Sequence, residues 1–572
     1  MSKIYGIDLG TTYSVIATLD DHGMPEVIEN QDEGTRTLAS AVYFQDGGDP
    51  VVGEVAKAQT EVEPDKVVQF VKREIGKSDA QVREFDGIKY DPITISSLIL
   101  KRMKEYTEEQ GNEVNDVVIT CPAYFGNEER AATKQAGIIA GFNVLNIINE
   151  PTAAALNYCC REFHENRKIM VYDLGGGTFD ITLFDFSVDD AGKATIDVID
   201  TGGDDRLGGI DWDARLYDHI CELYCDENGF SVDQIDNELR ATIMRQVEGT
   251  KKLLSKKSTH SFNISYAGDV SRIEVSAEKF EELTHDLVER TMDFVNQLLS
   301  SNSLTSDDID VVLLVGGSTR MPMIKKTIDD LFPNKTRVED PDLAVAKGAA
   351  LAAAIEWIEG FEKRKRGEID AFSAHVDSED GEPIAAPVIT EEEEKQAAAL
   401  MSMSNLQKVS TVSDKLSWSF GPAVFVDETH YMIDNLLFVG DETLSEATGI
   451  YGTMVDHQAA VQFTVFENVA KDRVNKYVTP SIDQDDNEQY TDPALKVKSL
   501  GSVRLELPPG TPKGTPIEVF FRCSAVGLEV RATNMETTES VETVITSDNT
   551  KTQEEMNEAI KHMASVKTSG NI

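Results

Sequence analysis

With 572 residues the chain is too long for one hydrophobic core, so two to four domains are expected. Hydrophobic residues make up 40% and charged residues 27%, enough for a large core, and 101 acidic against 54 basic residues give a formal charge of -47. Such a polyanion has no long-range attraction for nucleic acid or an anionic membrane surface, no apolar run reaches the ~18 residues of a membrane span, and the start MSKIYGIDLG lacks the layout of a signal peptide.

In chain order, strands and helices alternate up to about residue 358, the pattern of an α/β fold. Lys3 to Ile7, Val117 to Thr120, Lys168 to Tyr172 and Val311 to Val315 read as buried strands, each a short apolar run closed by Gly, Pro or Asp. Lys66 to Ile75, Glu128 to Ala140, Ala277 to Leu299 and Leu343 to Ile358 read as helices. Residues 359–411 hold EKRKRGE, DSEDGEP and EEEEKQAAALMSMS, charged runs that cannot build a core and read as an acidic linker, disordered or partly helical. Residues 412–546 consist of short β-prone runs between turn residues, an independent all-β domain. Residues 547–572 carry one short amphipathic helix and a polar tail. The six cysteines (Cys121, Cys159, Cys160, Cys221, Cys225, Cys523) are sparse; Cys221 and Cys225 share a helical face but lack the further ligands of a zinc site, so all six read as reduced, buried thiols.

The α/β region repeats itself. IDLGTT (Ile7 to Thr12) and DLGGGT (Asp173 to Thr178) each follow an apolar strand, and EPTAAAL and DPDLAVAKGAAL each supply a helix of small residues. This predicts two similar lobes facing across a cleft, with Ala and Gly letting the helices approach at the hinge. A strand running into such a turn leaves successive N–H groups pointing outward as a nest for phosphate oxygens, and Thr hydroxyls add donors. Two nests from two lobes can grip one polyphosphate. Asp8, Glu150, Asp173 and Asp180 sit at strand ends or turns, where a triphosphate would be repelled without a cation; ordering the hydration shell of Mg²⁺ is the role such carboxylates take. VVLLVGGSTRMP offers a third small-residue turn, Gly316-Gly317-Ser318, where an adenosine can lie against backbone with Arg320 on its face. Lys72, in DKVVQFVKREIG, reads locally as an ordinary solvated helix lysine.

IDLGTTYS, VITCPAYFGNEERAATKQAG, IINEPTAAAL, VYDLGGGTFD, LGGIDWD, VGGSTRMP and DPDLAVAKGAA, in this order over Ile4 to about Ala354, resemble the DnaK-type 70-kDa heat-shock chaperone family. The resemblance implies a duplicated actin-like (ribonuclease H-like) two-lobed α/β ATPase domain, then a β-sandwich that holds extended apolar peptide and a shortened lid helix. It implies ATP/ADP with Mg²⁺ and K⁺. Lys72 takes the role of the lysine that orients the attacking water, and Glu150, Asp173, Thr178 and Asp180 that of the hydrolytic group. Asp8, Asp173 and Asp180 place the metal, mostly through water, with Tyr13 assisting. Gly10, Thr11, Thr12, Gly175, Gly176 and Gly177 fall at the phosphates. Gly208, Gly209, Glu248, Lys251, Ser255, Gly316, Gly317, Ser318, Arg320 and Asp342 fall where the family lines the cleft and holds the nucleoside. Pro122 and Arg130 match residues that carry the nucleotide signal to the linker.

The implied function is an ATP-dependent chaperone for unfolded polypeptide, working with a J-domain protein and a nucleotide-exchange factor. Three departures stand against it: polar LQKVSTVSDK replaces the family's leucine-rich linker, the lid is nearly absent, and the chain ends KTSGNI rather than in an EEVD-like tail. The first puts interdomain coupling in doubt; the last argues against tail-recognising eukaryotic partners and favours a bacterial source, and the expected setting is cytoplasmic. The alternatives are a nucleotide-gated scaffold for a dedicated partner, and a small-molecule kinase on the same fold, for which no second substrate motif is seen.

Overall fold

The computed structural model describes residues 3–160, 165–189, 193–229, 231–266, 269–338, 340–366, 389–403, 406, 409–413, 416, 418–425, 431–441, 445–468, 474–478, 480–482, 488–490, 497–524, 527–545 and 550–570. The acidic stretch at 377–383 lies outside them.

The internal repeat appears as two sheets of one topology. In the first half, β1 (Lys3–Asp8), β2 (Tyr13–Leu19) and β3 (Pro25–Val27) form an antiparallel meander. After α1 (Pro92–Glu108), β4 (Val114–Cys121) adds parallel to β1. After α2 (Asn127–Ile139), β5 (Asn143–Asn149) adds parallel to β4 and runs straight into α3 (Glu150–Cys159). The path is β5-β4-β1-β2-β3, with Leu38–Ala39 as a sixth strand on β2. The second half repeats it. β6 (Arg167–Leu174), β7 (Phe179–Val188) and β8 (Ala194–Asp204) make the meander, followed by α4 (Gly209–Asn228), α5 (Asn237–Leu254), β9 (Val311–Val315), β10 (Thr336–Val338) and α6 (Ala344–Arg366). Its order is β10-β9-β6-β7-β8, closed at the far edge by β11 (Val409–Ser413), parallel to β8. β9 is buried along its whole length, as a strand covered on both faces must be, which is why VVLLV carries no polar residue.

The two halves meet through α3 and α6. A Cβ on Gly348 of α6 would lie 1.7 Å from the Ala153 carbonyl oxygen, and one on Gly6 of β1 would lie 2.0 Å from the Ala350 nitrogen. Backbone therefore packs on backbone here, which only glycine permits. The expected close approach of the small-residue helices is what the structure shows.

Local expectations are corrected in four places. Lys66 to Ile75 is not one helix: Val67–Gln69 is a strand and Val71–Arg73 a single 3-10 turn, separated by Phe70 at φ 61°. The β-branched valines favour the strand and the positive φ forbids helical continuation. Ala277 to Leu299 is two helices, Ala277–Leu283 and His285–Ser301, broken at Thr284, whose hydroxyl bonds the Phe280 carbonyl. The closing helix α6 continues past residue 358 to Arg366, while Glu391–Met401 is helical, as a partly helical linker allows. Val412 and Ser413, expected in the β-domain, belong to β11 and extend the second-half sheet.

Two larger sheets follow, besides a two-stranded ribbon of Pro480–Ile482 and Glu488–Tyr490. One has β12 (Ser419–Phe425), β13 (Tyr431–Ile433), β15 (Ala460–Asn468), β16 (Val474–Val478) and β17 (Val497–Glu506), between which β14 (Glu446–Gly452) leaves for the other. That second sheet joins β14 to β18 (Pro516–Ser524), β19 (Gly527–Asn534) and β20 (Ser540–Ile545). Phe463, Val465, Leu505, Ile517, Val519, Phe521 and Val530 alternate inward to share one core. The last helix, α7 (Gln553–Ser565), leaves this domain: Met556 and Met563 are buried in the core of the first half. All six cysteines are buried and none forms a disulfide. Among the described residues no helix is long and apolar enough to cross a membrane.

Candidate functional site

The site lies where the two repeats face each other. β1 ends at Asp8 and β6 one residue past the equivalent Asp173, and each strand turns back through its small-residue loop. The two loops touch. A Cβ on Gly176 would be 2.3 Å from Thr12 Oγ1, and one on Gly177 2.5 Å from Thr11 Cγ2. Gly10 lies equally close to its own loop, a Cβ there falling 2.0 Å from the Tyr13 carbonyl oxygen. The Gly175 carbonyl accepts the Gly209 N–H at 3.0 Å and the Ser318 hydroxyl at 2.8 Å, and the Gly176 carbonyl accepts the Ile210 N–H at 2.9 Å. Gly316, at φ 83°, sits against Leu174 and the Asp173 carboxylate, where a Cβ would be 2.6 Å from Oδ1. Gly175, Gly176, Gly177, Gly208, Gly209, Gly316 and Ser318 thus form one continuous floor.

Beside it stands a carboxylate cluster with one cation. Lys72, 5% exposed, makes an ion pair with Glu150 at the start of α3. Burial favours the neutral amine, but the carboxylates of Glu150 and Asp8 outweigh it, and the ammonium is held above its usual range. Desolvation and the Glu150 charge lift Asp8 to about 7. Desolvation, then Glu150 and neighbouring aspartates, push Asp173 well above the carboxylate range; Asp180 rises by burial and Glu150, against the pull of the Ala123 N–H on its Oδ1 at 2.9 Å. Asp180 Oδ2 is buried with no hydrogen-bond partner. One lysine among four acids leaves an excess of negative charge that a hydrated divalent cation fits, and a cation there would reverse these upward shifts. Among the described residues no three His, Cys, Asp or Glu side chains are spaced to grip a metal directly.

The remaining sequence-chosen residues lie around the rim. Lys251 donates to the Gly209 carbonyl at 2.7 Å and pairs with Asp213 at 2.8 Å; Ser255 back-bonds to the Lys251 carbonyl. Glu248 pairs with Lys57 and Lys252, each at 2.6 Å, which draws its carboxyl down to about 2 despite partial burial. Tyr13 points at this pair rather than at Asp8: its hydroxyl takes a bond from Lys57 at 2.9 Å. Arg320 pairs with Asp342 at 2.6 Å at the exposed edge, beside Gly317. Pro122 leads into the turn that starts α2, and Arg130 binds the Phe125 carbonyl and Asn149.

Sequence reasoning missed the bases that span the two halves. Lys57 reaches Glu248, Arg73 reaches Asp211 at 3.0 Å, and Lys77 reaches Asp205 at 2.5 Å. Each base lies in the segment between β3 and β4 and each acid in that between β8 and β9, so no local spacing could have paired them.

A family described as Hsp70 protein matches residues 4–365. The chain is 43% identical over 362 residues to the chaperone protein DnaK of Thermosipho melanesiensis, a match covering 62% of this chain and 59% of that protein. It is 42% identical over 362 residues to the chaperone protein DnaK of Thermotoga petrophila, with the same coverage, and 42% over 360 residues to that of Thermosipho africanus. The matched region thus spans 59% of the length of these relatives.

Proposed function

The chain belongs to the Hsp70 protein family, and from that premise we propose that it is an ATP-dependent chaperone, hydrolysing ATP to ADP and phosphate between its two α/β halves. The observation that carries this reading is the Lys72–Glu150 pair buried among Asp8, Asp173 and Asp180 against two touching glycine turns. In the proposal Thr11, Thr12 and the Gly175–Gly177 turn hold phosphate oxygens. The rim from Gly208 to Asp342 holds the nucleoside. Asp8, Asp173 and Asp180 would hold a hydrated Mg²⁺, with K⁺ as a second cation, and its chemistry is neutralisation of phosphate charge. Phosphoryl transfer needs positioning and charge more than covalent help. Lys72, kept charged by Glu150, orients the water whose oxygen bonds the γ-phosphorus as the bond to the bridging oxygen breaks; Thr178 and Asp180 line that water's path. The β-domain grips extended apolar segments of unfolded protein by strand-like hydrogen bonds, and the nucleotide state sets that grip. A J-domain protein, a nucleotide-exchange factor and a cytoplasmic setting complete the proposal.

One observation favours the nucleotide-gated scaffold as a second reading. Helix α7 is committed to the core of the first half, so it does not close over the β-domain. Steady-state ATP hydrolysis, with and without an extended apolar peptide, tests both. The expected result is turnover that rises with peptide and falls about 100-fold or more in Lys72→Ala. Turnover that needs Lys72 but ignores peptide favours the scaffold, and no turnover by the unaltered chain overturns both.

A further inference from the structure

Arg73 stands next to Lys72 on the same 3-10 turn but takes different partners. Lys72 makes its ion pair within the first half; Arg73 bonds across to the second. Its Nε donates to the Gly177 carbonyl at 2.9 Å, and Nη2 donates to the same oxygen and to Asp211 Oδ2 at 3.0 Å. Asp211 Oδ2 also accepts the Gly208 N–H at 2.7 Å. Gly208 in turn lies against Gly177, where a Cβ would fall 2.5 Å from its backbone. One guanidinium therefore clamps both sides of the contact between the Gly175–Gly177 turn and Gly208.

We propose that Arg73 is a positioning residue, fixing the Gly175–Thr178 turn at its working orientation and distance from the Lys72 turn. The physical reason lies in the peptide unit it holds. A trans peptide sets its C=O and N–H antiparallel, so gripping the Gly177 carbonyl aims the Thr178 N–H the other way. Three consecutive glycines give this turn little stiffness of its own, because each reaches conformations that other residues avoid. The planar fork of a guanidinium can straddle a carbonyl and a carboxylate together; an ammonium, a point charge, cannot reproduce both bonds. The two neighbours divide the work: Lys72 supplies charge to the cluster, and Arg73 fixes the turn opposite.

The inference rests on the ATPase reading, and its test separates the two. Full-length Arg73→Ala, Arg73→Lys and Lys77→Ala are compared with the unaltered chain. Lys77→Ala removes another pair between the halves, but one that touches neither glycine turn. The readouts are the dissociation rate of a fluorescent ADP analogue and single-turnover hydrolysis at saturating ATP. Arg73→Ala is expected to release nucleotide about tenfold faster and to slow single turnover about tenfold or more, because small displacements of reacting groups are costly. Arg73→Lys should recover part of the release rate but little of the turnover, and Lys77→Ala should stay within about twofold in both. Failure of the unaltered chain to bind nucleotide sinks the ATPase reading. Normal binding and turnover by that chain, matched by Arg73→Ala or lost equally in Lys77→Ala, overturns the role of Arg73.

Discussion

The two halves of the α/β domain share one strand order yet do different work. Asp8 and Asp173 are equivalent, as are the turns that follow them, but among the described residues only Lys72, from the first half, makes an ion pair in the carboxylate cluster. That lysine comes from the long segment between β3 and β4, outside the repeated frame. The corresponding segment between β8 and β9 supplies acids instead: Asp205, Asp211 and Glu248 meet Lys77, Arg73 and Lys57 in turn. Repetition therefore builds the floor of the site, while the unrepeated segments give the cleft one basic and one acidic wall. The added chain follows the same division, since β11 extends the second-half sheet and α7 completes the first-half core.

The largest effect should come where the halves touch. Gly348→Ala places a Cβ 1.7 Å from the Ala153 carbonyl, where only a backbone shift can relieve it. A loss of about 3 kcal/mol or more is expected, or failure to fold. Gly360→Ala, on the same helix, meets nothing within 4 Å and should stabilise by up to about 1 kcal/mol through helix propensity. Denaturant midpoints of the pair decide whether α6 acts by close approach or merely by being helical; equal midpoints would remove the close-approach explanation.

Next comes the asymmetry of the attachments. Met563, 1% exposed, is as much part of the first-half core as Leu98 or Ile119. Met563→Ala should cost about 2–5 kcal/mol. Hydrogen exchange should locate the loss in α1, α2 and β9's counterpart β4, sparing the second-half sheet. A loss confined to the β-domain would mean that α7 serves that domain after all.

What the sequence disclosed and what it hid divide along contact distance. The glycine turns, the apolar strands and the small-residue helices announce themselves within a few residues, because each obeys a local rule. Lys72 does not: its partner lies 78 residues away, and its own segment mixes a helical charge pattern with strand-forming valines. The amphipathic face of 553–566 is equally legible, but amphipathicity says only that an apolar partner exists. Expected as the stub of a lid, the helix instead packs on the first half. The polar linker that placed coupling in doubt does hydrogen-bond as β11, since a ladder needs backbone and not leucine.

The finest distinction between the attachments is their response to protons. The first half meets the β-domain at the start of α2. Glu467 of β15 accepts the Asn127 N–H at 3.0 Å, Glu128 pairs with Lys498 of β17, and the Trp418 indole donates to the Tyr124 carbonyl at 3.4 Å. A helix N-terminus favours a carboxylate, yet burial, with Glu129 beside it, outweighs the Asn127 N–H and Arg130 and lifts Glu467 to about 8. Cys523, with Arg522 and its partner Glu529, lies on the strand side of the same carboxyl. A group raised on docking stabilises the docked form fully below its free value of 4.5, and loses that contribution as pH climbs to about 8. The β8–β11 attachment is a parallel backbone ladder. Between pH 6 and 9, after correction for intrinsic exchange, amides at the start of α2 should lose protection while those of β8 do not. Glu467→Gln, which keeps an accepting oxygen without the charge, should flatten the first curve. Parallel loss at both attachments, or an unchanged slope in Glu467→Gln, would show that protons act somewhere other than this carboxyl.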